Sequence, residues 1–123
     1  MTESEMKQRT KTFALRVIKL ANSLSKDFVG RRLGDQLLRS GTSVAANYRS
    51  ACRARSRPDF VSKLGIVEEE VDESALWMEL LAESGIVPLR KLESLLDEAN
   101  QLTAIVVASR KSVNKGTNQK SKF

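Results

Sequence analysis

From Arg9 to Leu24 the apolar residues Phe13, Val17, Leu20, Ala21 and Leu24 recur at steps of three and four. That spacing draws one stripe down an amphipathic helix. Lys7, Lys11, Arg16 and Lys19 fall off the stripe, where a solvated face is their default reading. Residues 1–8 are polar and are expected to fray. The run Ser25 to Gly30 interrupts the pattern. Here Phe28 and Val29 are expected to dock on the end of the bundle, with Gly30 supplying backbone freedom.

A second helix is predicted from about Gly30 to Ala54. At about 100° per residue, Leu33, Leu37, Gly41, Val44, Ala45, Tyr48, Ala51 and Cys52 gather on one side. Arg31, Arg32, Arg39, Arg49, Arg53 and Arg57 gather within about 100° of arc on the other. Between the two lies a polar seam of Gln36, Ser40, Ser43 and Asn47. Gly41, Ser43, Ala45 and Ala46 allow close approach of a neighbouring helix. Glycine inside a helix costs about 1 kcal/mol against alanine, so a packing role is expected for it.

Arg55 to Asp59 makes the second break. Pro58 disfavours helical geometry at Arg57 and is tolerated in the first turn of a helix. Ser56 or Arg57 is therefore the expected boundary, and Asp59 stands where a helix N-terminus favours negative charge. The third helix is predicted from about Pro58 to Ser84, with Phe60, Leu64, Val67, Val71, Met78 and Leu81 as its core stripe. A second stripe of Ile66, Glu70, Glu73 and Trp77 lies about 100° away. Gly85 is the expected C-terminal cap. Pro88 opens a fourth helix carrying Leu89, Leu92, Leu95, Leu96, Ala99, Leu102, Ile105 and Val106, up to about Val113. Four helices and three short connections predict an all-α, antiparallel up-down-up-down bundle over residues 1–114. Residues 115–123 read as a polar, basic and disordered tail.

Composition narrows the chemistry. A length of 123 residues suits one domain, and 41% hydrophobic residues suffice for a core. The six aromatics are few, and such a core suits helix packing better than a sandwich or barrel. There is no histidine, which removes the commonest general base and metal ligand. Cys52 is the only cysteine, so an intrachain disulfide is impossible and it reads as a small buried apolar residue. No apolar run approaches the roughly 18 residues that span a bilayer. The N-terminal MTESEMKQRT lacks a signal-peptide core, and a cytoplasmic location with no membrane partner is expected.

Charge is segregated along the chain. Residues 1–57 carry a net +9, residues 58–100 a net −8 and residues 101–123 a net +5. A polyanion would meet a basic face. The six arginines of the second helix share that face with Asp35 as their one acidic neighbour, and arginine binds phosphate bidentately. Protein or subunit contact and plain solubility are the competing readings. No helix-turn-helix, zinc-finger or RNA-binding-sheet fingerprint is present, so contacts to the nucleic-acid backbone are expected, with steep salt dependence.

Glu70 and Glu73 are the nearest approach to catalytic carboxylates. Di-iron bundles need a Glu-x-x-His pairing that a histidine-free chain cannot supply, so no metal and no cofactor are expected. The expected role is structural. One or both glutamates meet the polar seam of the second helix, or an arginine such as Arg39, since a buried carboxylate needs hydrogen bonds or a counter-charge. Tyr48, Ile66 and Trp77 are read as packing or subunit-interface residues, with base stacking as the lesser alternative for Trp77.

The run RSGTSVAANYRSACRARSRPDFVSKLGIVEEEVDESALWMELLAESGI resembles a family of bacterial four-helix-bundle proteins. These were first known from intervening sequences in large-subunit (23S) ribosomal RNA genes. The most specific parts are Arg39-Ser40-Gly41-Thr42-Ser43-Val44, Asn47-Tyr48, Asp59-Phe60, Lys63-Leu64, Glu70, Glu73-Ser74 and Trp77. The family includes the accessory variability determinant of diversity-generating retroelements. The resemblance implies a bundle that assembles as a ring-like homopentamer, with no enzymatic activity and no small-molecule substrate. The retroelement member binds nucleic acid and a reverse transcriptase through a basic surface, and sharing a fold does not itself transfer those partners. The expected function is non-enzymatic nucleic-acid binding with little sequence specificity, as an accessory to a larger nucleoprotein machine. The expected residues are the helix-two arginines assisted by Lys7, Lys11, Arg16 and Lys19. The alternative is a protein-interaction scaffold whose basic face meets acidic protein surface.

Overall fold

A computed structural model describes residues 1–114, which form an all-α, four-helix bundle. The helices are α1 (Glu3–Asn22), α2 (Phe28–Ala51), α3 (Arg57–Glu83) and α4 (Glu93–Asn114), with a short 3₁₀ turn at Leu89–Lys91 before α4. The proposed tail at 115–123 lies outside the described residues.

Local chemistry sets each boundary, and it moves several from where periodicity places them. α1 begins six residues earlier than expected. The Thr2 hydroxyl accepts from the Glu5 N–H at 3.0 Å while the Glu5 carboxylate accepts from the Thr2 N–H at 2.7 Å. This reciprocal pair satisfies two otherwise orphan donors. Met6, 2% exposed, then anchors the first turn in the core. Asp27 caps α2 by accepting from the Gly30 N–H at 2.8 Å. The helix therefore starts at Phe28, and Phe28 and Val29 are left 72% and 50% exposed instead of docked. Gly30 falls inside the first turn of α2, where its role is space: a Cβ there would lie 2.5 Å from the Ser25 carbonyl oxygen.

Ser56 caps α3, accepting from the Asp59 N–H at 3.2 Å, with Pro58 in the first turn as the sequence predicts. Gly85, at φ 81°, ends α3: the Ile86 N–H bonds to the Leu81 carbonyl and the Gly85 N–H to that of Ala82. This is a Schellman closure, and the positive φ explains glycine there. Pro88 opens the 3₁₀ turn instead of α4. The chain resumes α-geometry at Glu93, once Leu92 has been buried.

The core runs the length of the bundle. Phe13 and Val17 from α1, Leu37 and Val44 from α2, Leu64, Val67, Val71, Met78 and Leu81 from α3, and Leu102 and Val106 from α4 are all fully buried. α2 is the central contact element, packing most extensively against α3 and α1, while α3 also packs on α4. Tyr48 and Cys52 are buried in this core. Burial, with Cys52 beside it, pushes the Tyr48 hydroxyl well above its ordinary ionisation range.

Candidate nucleic-acid interface

The predicted cationic face is built from two helices. A groove of about 400 Å³ is lined by Lys7, Thr10 and Lys11 from α1 and by Ala45, Ala46 and Arg49 from α2. Lys7 and Lys11 are one turn apart, so both point to the same side. The small side chains of Ala45 and Ala46 leave the space between the cations open. A second groove of about 440 Å³ lies at the opposite end of α2, lined by Lys26, Phe28, Arg31, Arg32 and Asp35. Arg31 and Arg49 are about 27 Å apart at 1.5 Å rise per residue. A third groove of about 360 Å³, between α1 and the start of α4, contains Arg16, Lys19 and Lys91.

Salt bridges sort these cations further. Lys11, Lys19, Lys26, Arg31, Arg49 and Arg53 make no ion pair with another described residue. Lys7 has only an exposed one-turn contact to Glu3 at 3.8 Å, which is worth little. Arg16 donates to the Ser94 hydroxyl at 2.8 Å. Unpaired cations can meet phosphate without first breaking an internal contact.

Two of the six expected arginines stand apart. Arg39 faces α3, where its Nη1 is 3.4 Å from the Glu70 carboxylate and its Nη2 pairs with that of Glu73. Its Nε is also 3.4 Å from the Gln36 side-chain oxygen. Both glutamates thus meet a guanidinium. Arg57 is the first residue of α3 rather than a member of α2, and it is half-buried.

The polar seam divides into three parts. Gln36 joins the Arg39 cluster. Ser40 is fully buried, with its hydroxyl 2.9 Å from that of Ser74, which in turn donates to the Glu70 backbone carbonyl. Ser43 and Asn47 bond to each other along α2. Ile66 is 39% exposed on α3. Trp77 packs half-buried against the core, its indole N–H buried without a hydrogen-bond partner among the described residues.

Three features escaped the helical wheel. Lys26 and Phe28 lie in the loop and first turn before the predicted start of α2, although a phenylalanine within four residues of three cations is a visible signal. Arg9 stands at the predicted start of the first helix, one turn before Phe13. It forms a two-pronged bond to Glu98 of α4, at 2.9 and 2.8 Å, and reaches the Gln101 side-chain oxygen at 2.8 Å. The Glu98 carboxylate raises the Arg9 guanidinium's pKa above its ordinary range. That pair ties α1 to α4 and removes Arg9 from the free cations.

A family model described as 23S rRNA-intervening sequence protein matches residues 2–108. The fold is also similar to a 1.70 Å crystal structure from Bacteroides thetaiotaomicron, a protein of unknown function from the S23 ribosomal protein family. That similarity has a TM-score of 0.83 and 32% identity, covering 90% of this chain and 99% of the other. No curated protein matches the chain.

Proposed function

The chain belongs to the 23S rRNA-intervening sequence protein family, and we propose that it is a non-enzymatic, oligomeric bundle that binds nucleic acid with little sequence specificity. It would serve as an accessory to a larger nucleoprotein machine. The observation that carries this reading is the groove in which Lys7 and Lys11 of α1 meet Arg49 of α2. Two separate helices supply cations to one concave surface, and Lys11 and Arg49 have no acidic partner among the described residues. Phosphate is the chemistry such a surface accepts most readily. The rRNA in the family's name favours RNA as the first ligand to test.

The molecule would have up-down-up-down topology. Val17 lies against Gly41, and Leu24, just past the end of α1, against Gly34, so position rises along α1 and out of its end as it falls along α2. Arg9 meets Glu98 and Arg16 meets Ser94, which gives the same reversal between α1 and α4. The assembly would be a ring-like homopentamer, with the exposed Ile66, Leu76 and Leu80 of α3 as apolar surface available for subunit contact.

Titration of labelled RNA and DNA across salt concentration tests the binding mode. Affinity falls steeply with salt for both, and Lys11→Ala with Arg49→Ala weakens binding uniformly across sequences. The log–log salt slope drops by about 2, roughly one per lost phosphate contact. Absence of binding at low salt, or a slope that survives both substitutions, overturns the mechanism.

A further inference from the structure

Phe28 is the most exposed aromatic residue among those described. It opens α2 with 72% of its surface in solvent. The Arg32 guanidinium carbon lies 5.1 Å from the centroid of its ring. Lys26 and Arg31 line the same groove, with Asp35 as the one carboxylate, so the groove is net positive. Neither Lys26 nor Arg31 is in an ion pair with another described residue.

A solvated ring sharing its groove with three cations and one carboxylate is poorly suited to an ordinary apolar protein contact, which would have to desolvate those charges. It suits a polyanion that carries flat aromatic faces of its own. Surfaces that bind single strands combine a positive groove for the backbone with an aromatic side chain for a base, and arginine adds a cation–π contribution. A duplex keeps its bases stacked inside and offers this ring nothing along its length. We propose that Phe28, with Arg32 beside it and Lys26 and Arg31 around it, is a stacking platform for an unpaired nucleobase. The protein then prefers single-stranded to duplex nucleic acid. This rests on the nucleic-acid reading above and adds to it the form of the ligand.

The test uses the full chain, a short fluorescein-labelled single-stranded RNA without self-structure, and a duplex of the same length, read by anisotropy. Phe28→Ala weakens single-strand binding about 5- to 150-fold, the loss expected for one stacked base. It leaves duplex affinity and the salt slope unchanged, because no phosphate contact is removed. Phe28→Trp retains single-strand affinity. The exposed position keeps all these variants folded, which circular dichroism verifies. Wild-type binding that is indifferent to Phe28→Ala overturns this inference alone. So does a Phe28→Leu variant that binds like wild type, since that makes the contact merely apolar, or an equal loss on the duplex. A wild-type protein that binds neither RNA at low salt overturns the broader reading and this one with it.

Discussion

Gly41 marks a close approach of α1 to α2. A Cβ at this position would lie 2.6 and 2.7 Å from the two Cγ atoms of Val17 and 2.9 Å from its Cβ. Val17 is fully buried and β-branched, so it can neither move away nor easily change rotamer. Overpacking of this kind costs about 1–3 kcal/mol, against about 1 kcal/mol gained from alanine's helix propensity. The contact with three atoms of a stiff side chain puts Gly41→Ala at the upper end, so a net loss of stability is expected in urea unfolding. Gly34 is the internal comparison. Its hypothetical Cβ meets only the tip of Leu24, at 3.2 Å, and a leucine tip can rotate. Gly34→Ala is therefore expected to lie near neutral. Equal effects at the two glycines would contradict the close-approach account of the small-residue stretch.

The seam between α2 and α3 holds two polar contacts of different worth. Arg39 is 50% exposed as a side chain and Glu73 is 39% exposed, so their ion pair is solvent-screened and is worth about 0–1 kcal/mol. The Ser40–Ser74 contact is fully buried, where a neutral hydrogen bond contributes about 0.5–1.5 kcal/mol and an orphaned partner costs more. Ser40→Ala and Ser74→Ala are each expected to destabilise. The double variant should lose less than the two single losses added together, by about 0.5–1.5 kcal/mol, in a double-mutant cycle. A loss on Arg39→Ala larger than that on either serine substitution would reverse this ranking. The same seam shows what the sequence can reveal. Steps of three and four put Ser40, Glu70 and Glu73 on facing stripes, because helix periodicity is set by backbone geometry that every residue shares. Which side chain meets which depends on axial register, and that is decided by packing across helices. Thus Arg39, which the wheel places on the cationic face and the glutamates' need for a counter-charge places beside α3, takes the second position. The boundary errors have the same origin. Thr2, Asp27 and Pro88 act through single local hydrogen bonds or dihedrals, which an averaged periodicity does not register. At the candidate site, Lys7, Lys11 and Arg49 were each legible as cations. Their meeting in one groove was not, because it requires the α1–α2 register that Gly41 and Val17 set.

At the scale of the molecule, the two kinds of charge occupy different helices. The basic grooves are built mainly by α1 and α2, whereas α3 carries Glu69, Asp72, Glu79 and Glu83 around the exposed Leu76 and Leu80. Two modes of assembly are then physically distinct. If subunits meet through the apolar residues of α3, salt screens the repulsion between the surrounding carboxylates, so the contact does not weaken as salt rises and the basic grooves remain open for phosphate. If they meet basic face to acidic face, the contact weakens with salt, since exposed charges are screened over about 8 Å at physiological ionic strength. The apolar mode is expected. Light scattering should give a mass close to five times the 13.7 kDa of one chain, unchanged between low and high salt. Leu76→Lys with Leu80→Lys should lower that mass while leaving the helical content intact, because both side chains are already exposed and their removal opens no cavity in the core. A wild-type mass equal to one chain defeats the oligomer. A mass that falls with salt and ignores the two lysines transfers the interface to the charged faces, and with it the function to the scaffold reading, since the grooves that hold Lys11 and Arg49 would then be occupied by protein.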